Sequence, residues 1–281
     1  MDYRKTFFVE PDRKLKLNDL DPASTPGLDT KEQATDATEA ARQRLAHQQN
    51  LLYAEKKHSL LIVLQGTDAA GKDGVIARAF ASFNAQGVAV ANFKEPTSVE
   101  LAHDFLWRVH PHAPAKGWVA IFNRSHYEEV LITRVHKLID EKTVIERIAR
   151  IRDFETLLAE NGATILKFFL HISKEEQLAR FEKRLVDPER NWKISEADYA
   201  ELPFWDDYVK ATEEALNATS THVAPWYVIP ANYKWFRDAA ISTIVADALE
   251  DLGMRFPKPS VDLDDIRRKY HAALLAEKAG K

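Results

Sequence analysis

LIVLQGTDAAGKD, residues 61–73, is the stretch whose reading decides this chain. It is apolar from Leu61 to Leu64, stops at Gly66, loops, and restarts at Gly71 and Lys72. The spacing Gly66, Gly71, Lys72 is that of a phosphate-binding loop: glycines let backbone N–H groups turn in around an anion, and the lysine adds a charge. Two positions depart from the common pattern. Asp73 stands where a Ser or Thr usually holds magnesium, and Asp68 lies inside the loop. A carboxylate aimed at phosphate is repelled unless a cation lies between them, so the two acids point to metal-bridged phosphate chemistry with Mg²⁺.

Working outward, the pattern from Ser59 alternates strand and helix. Candidate strands are Leu60 to Gln65, Val88 to Asn92, Trp118 to Phe122, Ile165 to His171 and Trp226 to Ile229, separated by stretches long enough for crossover helices. Short apolar runs in that rhythm imply a parallel sheet covered on both faces, with ligands gathering at the carboxyl ends of the strands. Four of the strands run straight into polar segments, GTDAAGKD, FKEPT, NRSHYEE and HISKEE. The fold class expected is α/β: a P-loop kinase-like three-layer α/β/α arrangement with a parallel five-stranded sheet and a helical lid.

The segment Asn123 to Glu129 carries the second half of the site. The strand beside a phosphate-loop strand usually ends in an acid that holds magnesium through water. Here that position is the neutral Asn123, and Glu128 restores a charge five residues on. Arg124 is placed to grip a transferring phosphoryl group with its planar fork. After Ser173 a helix begins that brings Arg180, Arg184, Arg190 and Lys193, with acids interleaved. An interrupted, basic helical hairpin reads either as a closing lid or, with its interleaved acids, as a solvated charged face, and Trp192, Trp205 and Tyr208 read as lid packing. Lys234 and Arg237, three apart on a helix, either extend a basic track away from the loop or are simply exposed.

Composition bounds the remainder. A chain of 281 residues buries one large core or at most two modest ones. It has no cysteine, which excludes disulfide scaffolds and thiolate metal sites. The first residues lack the apolar core of a signal peptide, and no run reaches the ~20 apolar residues of a bilayer span, so a cytoplasmic protein without a membrane partner is expected. A net charge of −4 argues against bulk attraction to nucleic acid and leaves any polyanion to a local basic patch. Three segments are expected: 1–56, an extended arm with Pro11, Pro22 and Pro26, followed by a helix capped at Asp29 with Glu32; 57–255, the core with its lid at about 180–205; and 256–281, a helical tail. His110 and His112 read as a proline-bounded loop, not as metal ligands.

GTDAAGKD at 66–73, FNRSHYEEV at 122–130 and the lid ending in Asn191-Trp192-Lys193 resemble the polyphosphate kinase 2 family over most of the chain. That resemblance implies Mg²⁺-dependent, reversible transfer of phosphate between inorganic polyphosphate and nucleotides (AMP, ADP, ATP), by a dimer or tetramer. It implies Asp68, Lys72, Arg124 and Glu128 as catalytic residues, with Asp68 and Glu128 on the metal. Gly66, Ala69, Ala70, Gly71, Lys72, Asp73, Lys234 and Arg237 then hold phosphates, Lys94, Asn123, Arg124 and Arg134 meet the nucleotide, and Arg180, Arg184, Arg190 and Lys193 belong to the lid. Many relatives carry Asp at position 123 and a neutral amide at 128. The exchange here is similar to that of the third subclass, associated with phosphorylating both AMP and ADP. Two other readings stand beside this one, an ATP-dependent nucleotide kinase and a regulatory nucleotide-binding switch.

Overall fold

The computed structural model describes residues 1–11 and 13–279. Five strands, β1 (Ser59–Gln65), β2 (Val88–Asn92), β3 (Val119–Asn123), β4 (Ala163–His171) and β5 (Trp226–Pro230), form one sheet in the order β2-β3-β1-β4-β5, every pair parallel. All five expected strands are present, Val88–Asn92 with the ends expected and the others with one or both ends moved by one or two residues. The helices are α1 (Tyr3–Phe7), α2 (Lys31–Glu55), α3 (Lys72–Ala79), α4 (Ser98–Leu101), α5 (Ile132–Val135), α6 (Glu141–Glu160), α7 (Lys174–Val186), α8 (Glu196–Ala200), α9 (Trp205–Thr219), α10 (Lys234–Glu250) and α11 (Leu263–Ala279).

β1 is central, and all seven of its residues are buried. Successive side chains of a strand point to opposite faces, so Leu60, Ile62 and Leu64 pack with α2, α3 and α10, while Leu61 and Val63 pack with α6 and α9. That division makes the three layers. α10 is buried nearly all round, from Phe236 to Leu249, because it lies between the sheet and α2.

The amino-terminal arm opens with the helical turn α1, capped by Asp2. Beyond it Val9 N–H donates to Trp226 O at 2.9 Å, and Phe8 bridges Tyr227 in antiparallel sense, covering the β5 edge. The cap of α2 is Thr30, not Asp29: its hydroxyl accepts from Gln33 N–H, and the Gln33 side chain accepts from Asp29 N–H. One residue of slip puts the hydroxyl in reach of the third helical amide. His110 and His112 sit in a short 3₁₀ turn and meet the rings of Phe154 and Phe93 edge to face. No residue of α11 is buried. No helix among the described residues is long and apolar enough to cross a membrane.

Candidate active site

β1 delivers the chain at Gln65 into a loop whose shape depends on two glycines. A Cβ at Gly66 would lie 3.0 Å from Leu170 O, and one at Gly71, where φ is +102°, would lie 2.3 Å from Arg237 Nη1. Side chains from outside hold the loop by its carbonyls. Arg180 donates from Nη1 to Ala69 O and Ala70 O at 2.9 and 2.8 Å, Arg237 from Nη1 to Ala70 O at 3.1 Å, and Gln177 from Nε2 to Asp68 O at 3.0 Å. With its carbonyls drawn outward, the loop leaves the first amides of α3 for an anion. Lys72 is folded into the loop, its ammonium donating to Gly66 O at 2.7 Å and Thr67 O at 3.3 Å. Burial pushes its pKa down, the Arg124 charge adds to that, and Asp68, Glu128 and Asp73 oppose it.

β3 ends beside this loop. Asn123 Nδ2 donates to Asp73 Oδ1 at 2.7 Å and to Asn92 Oδ1 at 2.8 Å, tying the ends of three elements together. Arg124 has φ +60°, in the left-handed region that side chains rarely adopt. Its Nη2 donates to Asp68 Oδ1 at 2.5 Å. Burial works against its charge, but Glu128, Asp68 and Asp198 together outweigh burial and hold it above its usual value. Glu128 accepts from Gln65 Nε2 at 3.0 Å, and its charge favours the protonated forms of both Lys72 and Arg124.

Under this turn lies a buried network that the sequence reading passed over. Glu155 on α6 accepts from Lys167 Nζ at 2.6 Å and from Tyr127 O–H at 2.8 Å, and meets His126 Nε2 at 3.3 Å; Lys167 also donates to Thr219 O at 2.9 Å. Burial alone would raise the Glu155 pKa, yet Lys167 and His126 bring it below the usual value. A lone lysine inside the apolar run Ile165 to Leu170 was the available signal.

The loop opens into a cavity of about 1210 Å³, walled by the ends of β2 and β3, the loop, α7, the segment around α8 and the start of α10. Eleven Lys and Arg side chains line it against five Asp and Glu, so the wall attracts a polyanion. Of the residues singled out from sequence, Asp68, Ala69, Gly71, Lys72, Asp73, Lys94, Asn123, Arg124, Arg180, Arg184, Arg190, Lys193, Lys234 and Arg237 are on the wall. Gly66 and Ala70 shape the loop from inside. Arg134 is the clear correction: its guanidinium pairs with Glu141 at 2.7 Å and Glu214 at 2.5 Å and lies off the wall. It faces α6 and α9, whose acids compete for it.

Two other arginines are brought to the site in a different role from the one expected. Arg180 is buried, and its nitrogens go to Glu176, Ala69 O, Ala70 O, Ala231 O and Asn232 O, which makes it a strut beneath the loop instead of a lid cation. Arg237 is fully buried and engages Asp238 and the loop. The lid segment itself is an interrupted hairpin, as expected: Asn191 Nδ2 donates to Arg184 O and Leu185 O at the end of α7, and Arg184 Nη1 reaches Asp198 Oδ2 at 2.6 Å. Trp192 is not packing; it is 77% exposed on the cavity rim with the Lys193 ammonium 4.9 Å from its ring. Asp198, unnoticed in the sequence, faces the same space, and partial burial together with the Asp68 charge raises its pKa.

The cavity has two ends. On the β2 and β3 side the cations share the wall with Asp68, Asp73 and Glu95. On the α10 side Lys234 stands among Arg180, Arg237, Arg78 and Arg190; desolvation and these charges push its pKa down to about 8. For a cation, Asp68 and Asp73 each have one oxygen engaged, by Arg124 and by Asn123, and their second oxygens are uncommitted among the described contacts. No group of three or more His, Cys, Asp or Glu placed to hold a metal occurs among the described residues. That donor set suits Mg²⁺, which takes one or two carboxylates and completes its shell with phosphate oxygens and water.

Known proteins resemble this chain along nearly its whole length. The family model described as Polyphosphate kinase 2 (PPK2) matches residues 28–257. A protein of Meiothermus ruber named AMP/ADP-polyphosphate phosphotransferase is 47% identical over 263 residues, 93% of this chain and 98% of that one. One of Rhodopseudomonas palustris named ADP-polyphosphate phosphotransferase is 41% identical over 266 residues, 90% and 92% of the two chains. The crystal structure of polyphosphate kinase 2 from Arthrobacter aurescens TC1 superposes with a TM-score of 0.93 at 41% identity, covering 99% of this chain and 97% of its own.

Proposed function

The chain belongs to the polyphosphate kinase 2 family, and from that premise we propose that it transfers phosphoryl groups reversibly between inorganic polyphosphate and adenine nucleotides, taking AMP to ADP and ADP to ATP. The observation that carries the reading is the division of one cavity around one phosphate loop: a predominantly basic end toward α10, where Lys234 stands among Arg78, Arg180, Arg190 and Arg237 with Glu189 the acid beside Arg190 in the chain, and a mixed end at β2 and β3. A polyphosphate chain has no base or sugar to recognise and is bound by charge alone, so it is assigned to the α10 end. The nucleotide is assigned to the other, beside Lys94, Asn123 and Arg124. The acidic Asp68 and Asp73 lie between, where donor and acceptor phosphates meet.

In this reading a terminal phosphate oxygen of the nucleotide forms a bond to the end phosphorus of the donor chain, and the bond from that phosphorus to its bridging oxygen breaks. The shortened chain leaves with the electron pair. A phosphate monoester has its second pKa at about 6, so the attacking oxygen is already ionised at pH 7 and no side chain has to remove a proton. Lys72 and the loop amides hold the phosphoryl oxygens. Arg124, fixed by Asp68 and kept charged by Glu128, stabilises the charge that spreads over the transferring group. Mg²⁺, held by Asp68 and Asp73 jointly with phosphate oxygens, would supply charge neutralisation between donor and acceptor. The neutral Asn123, which positions Asp73, lowers the negative charge met by the acceptor; acceptors of two lengths are then accommodated. On the same family grounds the working unit is a dimer or tetramer, which the mass measured by light scattering checks.

The test is to incubate purified protein with Mg²⁺, long-chain polyphosphate and either AMP or ADP. ATP from both acceptors supports the reading. ADP as the end product from AMP removes its second step, transfer only from added ATP selects an ATP-dependent nucleotide kinase, and binding without turnover selects a regulatory switch.

A further inference from the structure

Asp238 drew no notice in the sequence, yet it holds two arginines of the cavity wall from behind. Its side chain is 7% exposed and is not itself on the wall. Oδ1 accepts from Arg237 Nε at 2.9 Å and Nη2 at 2.6 Å, and Oδ2 accepts from Arg78 Nε at 2.6 Å. The two partners differ. Arg237 is fully buried and its remaining terminal nitrogen goes to the loop at Ala70 O, so it belongs to the scaffold. The Arg78 side chain is 46% exposed and lies over Gly74, where a Cβ would stand 2.7 Å from Nη2. Held at Nε, its guanidinium keeps Nη1 and Nη2 for the cavity at the α10 end, beside Lys234.

We propose that Asp238 is a positioning residue for the phosphate donor: by fixing Arg78 at Nε it presents a preset two-nitrogen fork to the polyphosphate chain, and so governs the affinity for polyphosphate and not for nucleotide. A free arginine must give up rotamer freedom to grip an oxygen pair, whereas a held one has already done so. The proposal rests on the assignment of the α10 end to the donor. It also makes a choice of sign. Asp238 is an anion close to a polyanion site, so long-range electrostatics alone predicts that removing its charge tightens polyphosphate binding. Positioning predicts the reverse.

Asp238→Asn separates the two, because an amide keeps one acceptor oxygen for both Arg237 donors while its NH₂ then meets Arg78 Nε–H, donor against donor. The scaffold contact survives and the fork is released. The experiment measures KM for polyphosphate at saturating ADP, KM for ADP at saturating polyphosphate, and the melting temperature, for wild type, Asp238→Asn, Arg78→Gln and the double variant. The expected result is a rise of about tenfold in polyphosphate KM in each single variant, ADP KM within about twofold of wild type, and a double variant no worse than Arg78→Gln alone. An unchanged or lower polyphosphate KM in Asp238→Asn, an equal rise in both KM values, or additive effects in the double variant overturn the proposal. Should Asp238→Asn not fold, Arg78→Gln decides, since an unchanged polyphosphate KM there is equally fatal. A wild type that ignores polyphosphate refutes the proposed function, whereas an active wild type with indifferent variants refutes only the role of Asp238.

Discussion

Lys234 offers the sharpest test of the basic end of the cavity. Desolvation and the charges of Arg180, Arg237, Arg78 and Arg190 lower its pKa from the usual 10.5 to about 8. A base with a depressed pKa is charged below that value and neutral above it, so the lysine is mostly protonated at pH 7 and mostly neutral at pH 9. If only the ammonium grips phosphate, polyphosphate KM rises by about tenfold between those pH values, with the curve bending upward near pH 8. A tenfold change is the ceiling, because a neutral amine still donates hydrogen bonds and a bound polyanion pulls the proton back on. With a second pKa at about 6 the nucleotide phosphates are mostly ionised across this window, and like the end groups of polyphosphate they titrate alike in wild type and variant. The assay is the initial rate with polyphosphate varied from pH 6.5 to 9.5 at saturating ADP and constant free Mg²⁺, for wild type and Lys234→Arg. Arginine holds its charge throughout, so its profile is expected to lack the bend near pH 8 that Lys234 gives the wild type. Lys72, also depressed, titrates alike in both proteins and cancels in the comparison. Parallel profiles for the two proteins would refute the assignment of Lys234 to the donor.

Other outcomes follow from the same geometry. Lys72→Met removes the cation inside the loop, and kcat is expected to fall at least 10²-fold with the melting temperature held or raised, since a buried charge is lost; near-normal turnover would remove Lys72 from the chemistry. Arg134→Gln, judged by kinetics and urea unfolding, should leave both KM values within about twofold and cost under about 1 kcal/mol, because its ion pairs with Glu141 and Glu214 lie off the cavity. Glu155→Ala strands the Lys167 ammonium in the core and should cost about 3–5 kcal/mol at pH 7 by urea unfolding. Because the Glu155 pKa is lowered in the fold, its contribution is present above the unfolded carboxyl value and drains away as pH falls through the folded one. The difference between variant and wild type should therefore shrink on acidification below about pH 4.

The strands were legible because each is a short apolar run bounded by polar punctuation: a strand covered on both faces of a parallel sheet reads as a continuous apolar run, and Leu60 to Gln65 and Ile165 to Leu170 are too short and too β-branched or aromatic for a buried helix. The loop was legible because glycine, lysine and acid at fixed spacing are a local code: a turn of this kind is specified by adjacent residues. The cap of α2 was missed by one position because Asp29 and Thr30 are both competent caps, and the choice depends on which side chain meets the third amide.

What escaped were partnerships across the chain. Arg134, Arg180 and Arg237 read alike as surface cations, yet one faces the acids of α6 and α9, one bolts the loop to the strand ends, and one is sealed beneath Gly71. Asp73 is oriented by Asn123, fifty residues on, and Arg78 by Asp238, a hundred and sixty on. The chemistry of the loop and the parallel α/β frame were written locally, in periodicity and in residue types that only a phosphate site needs. Which arginine serves as strut, fork or bystander was decided by folding, because a guanidinium goes to whatever acceptor the packed helices set within reach of its long side chain, and that distance has no counterpart along the sequence.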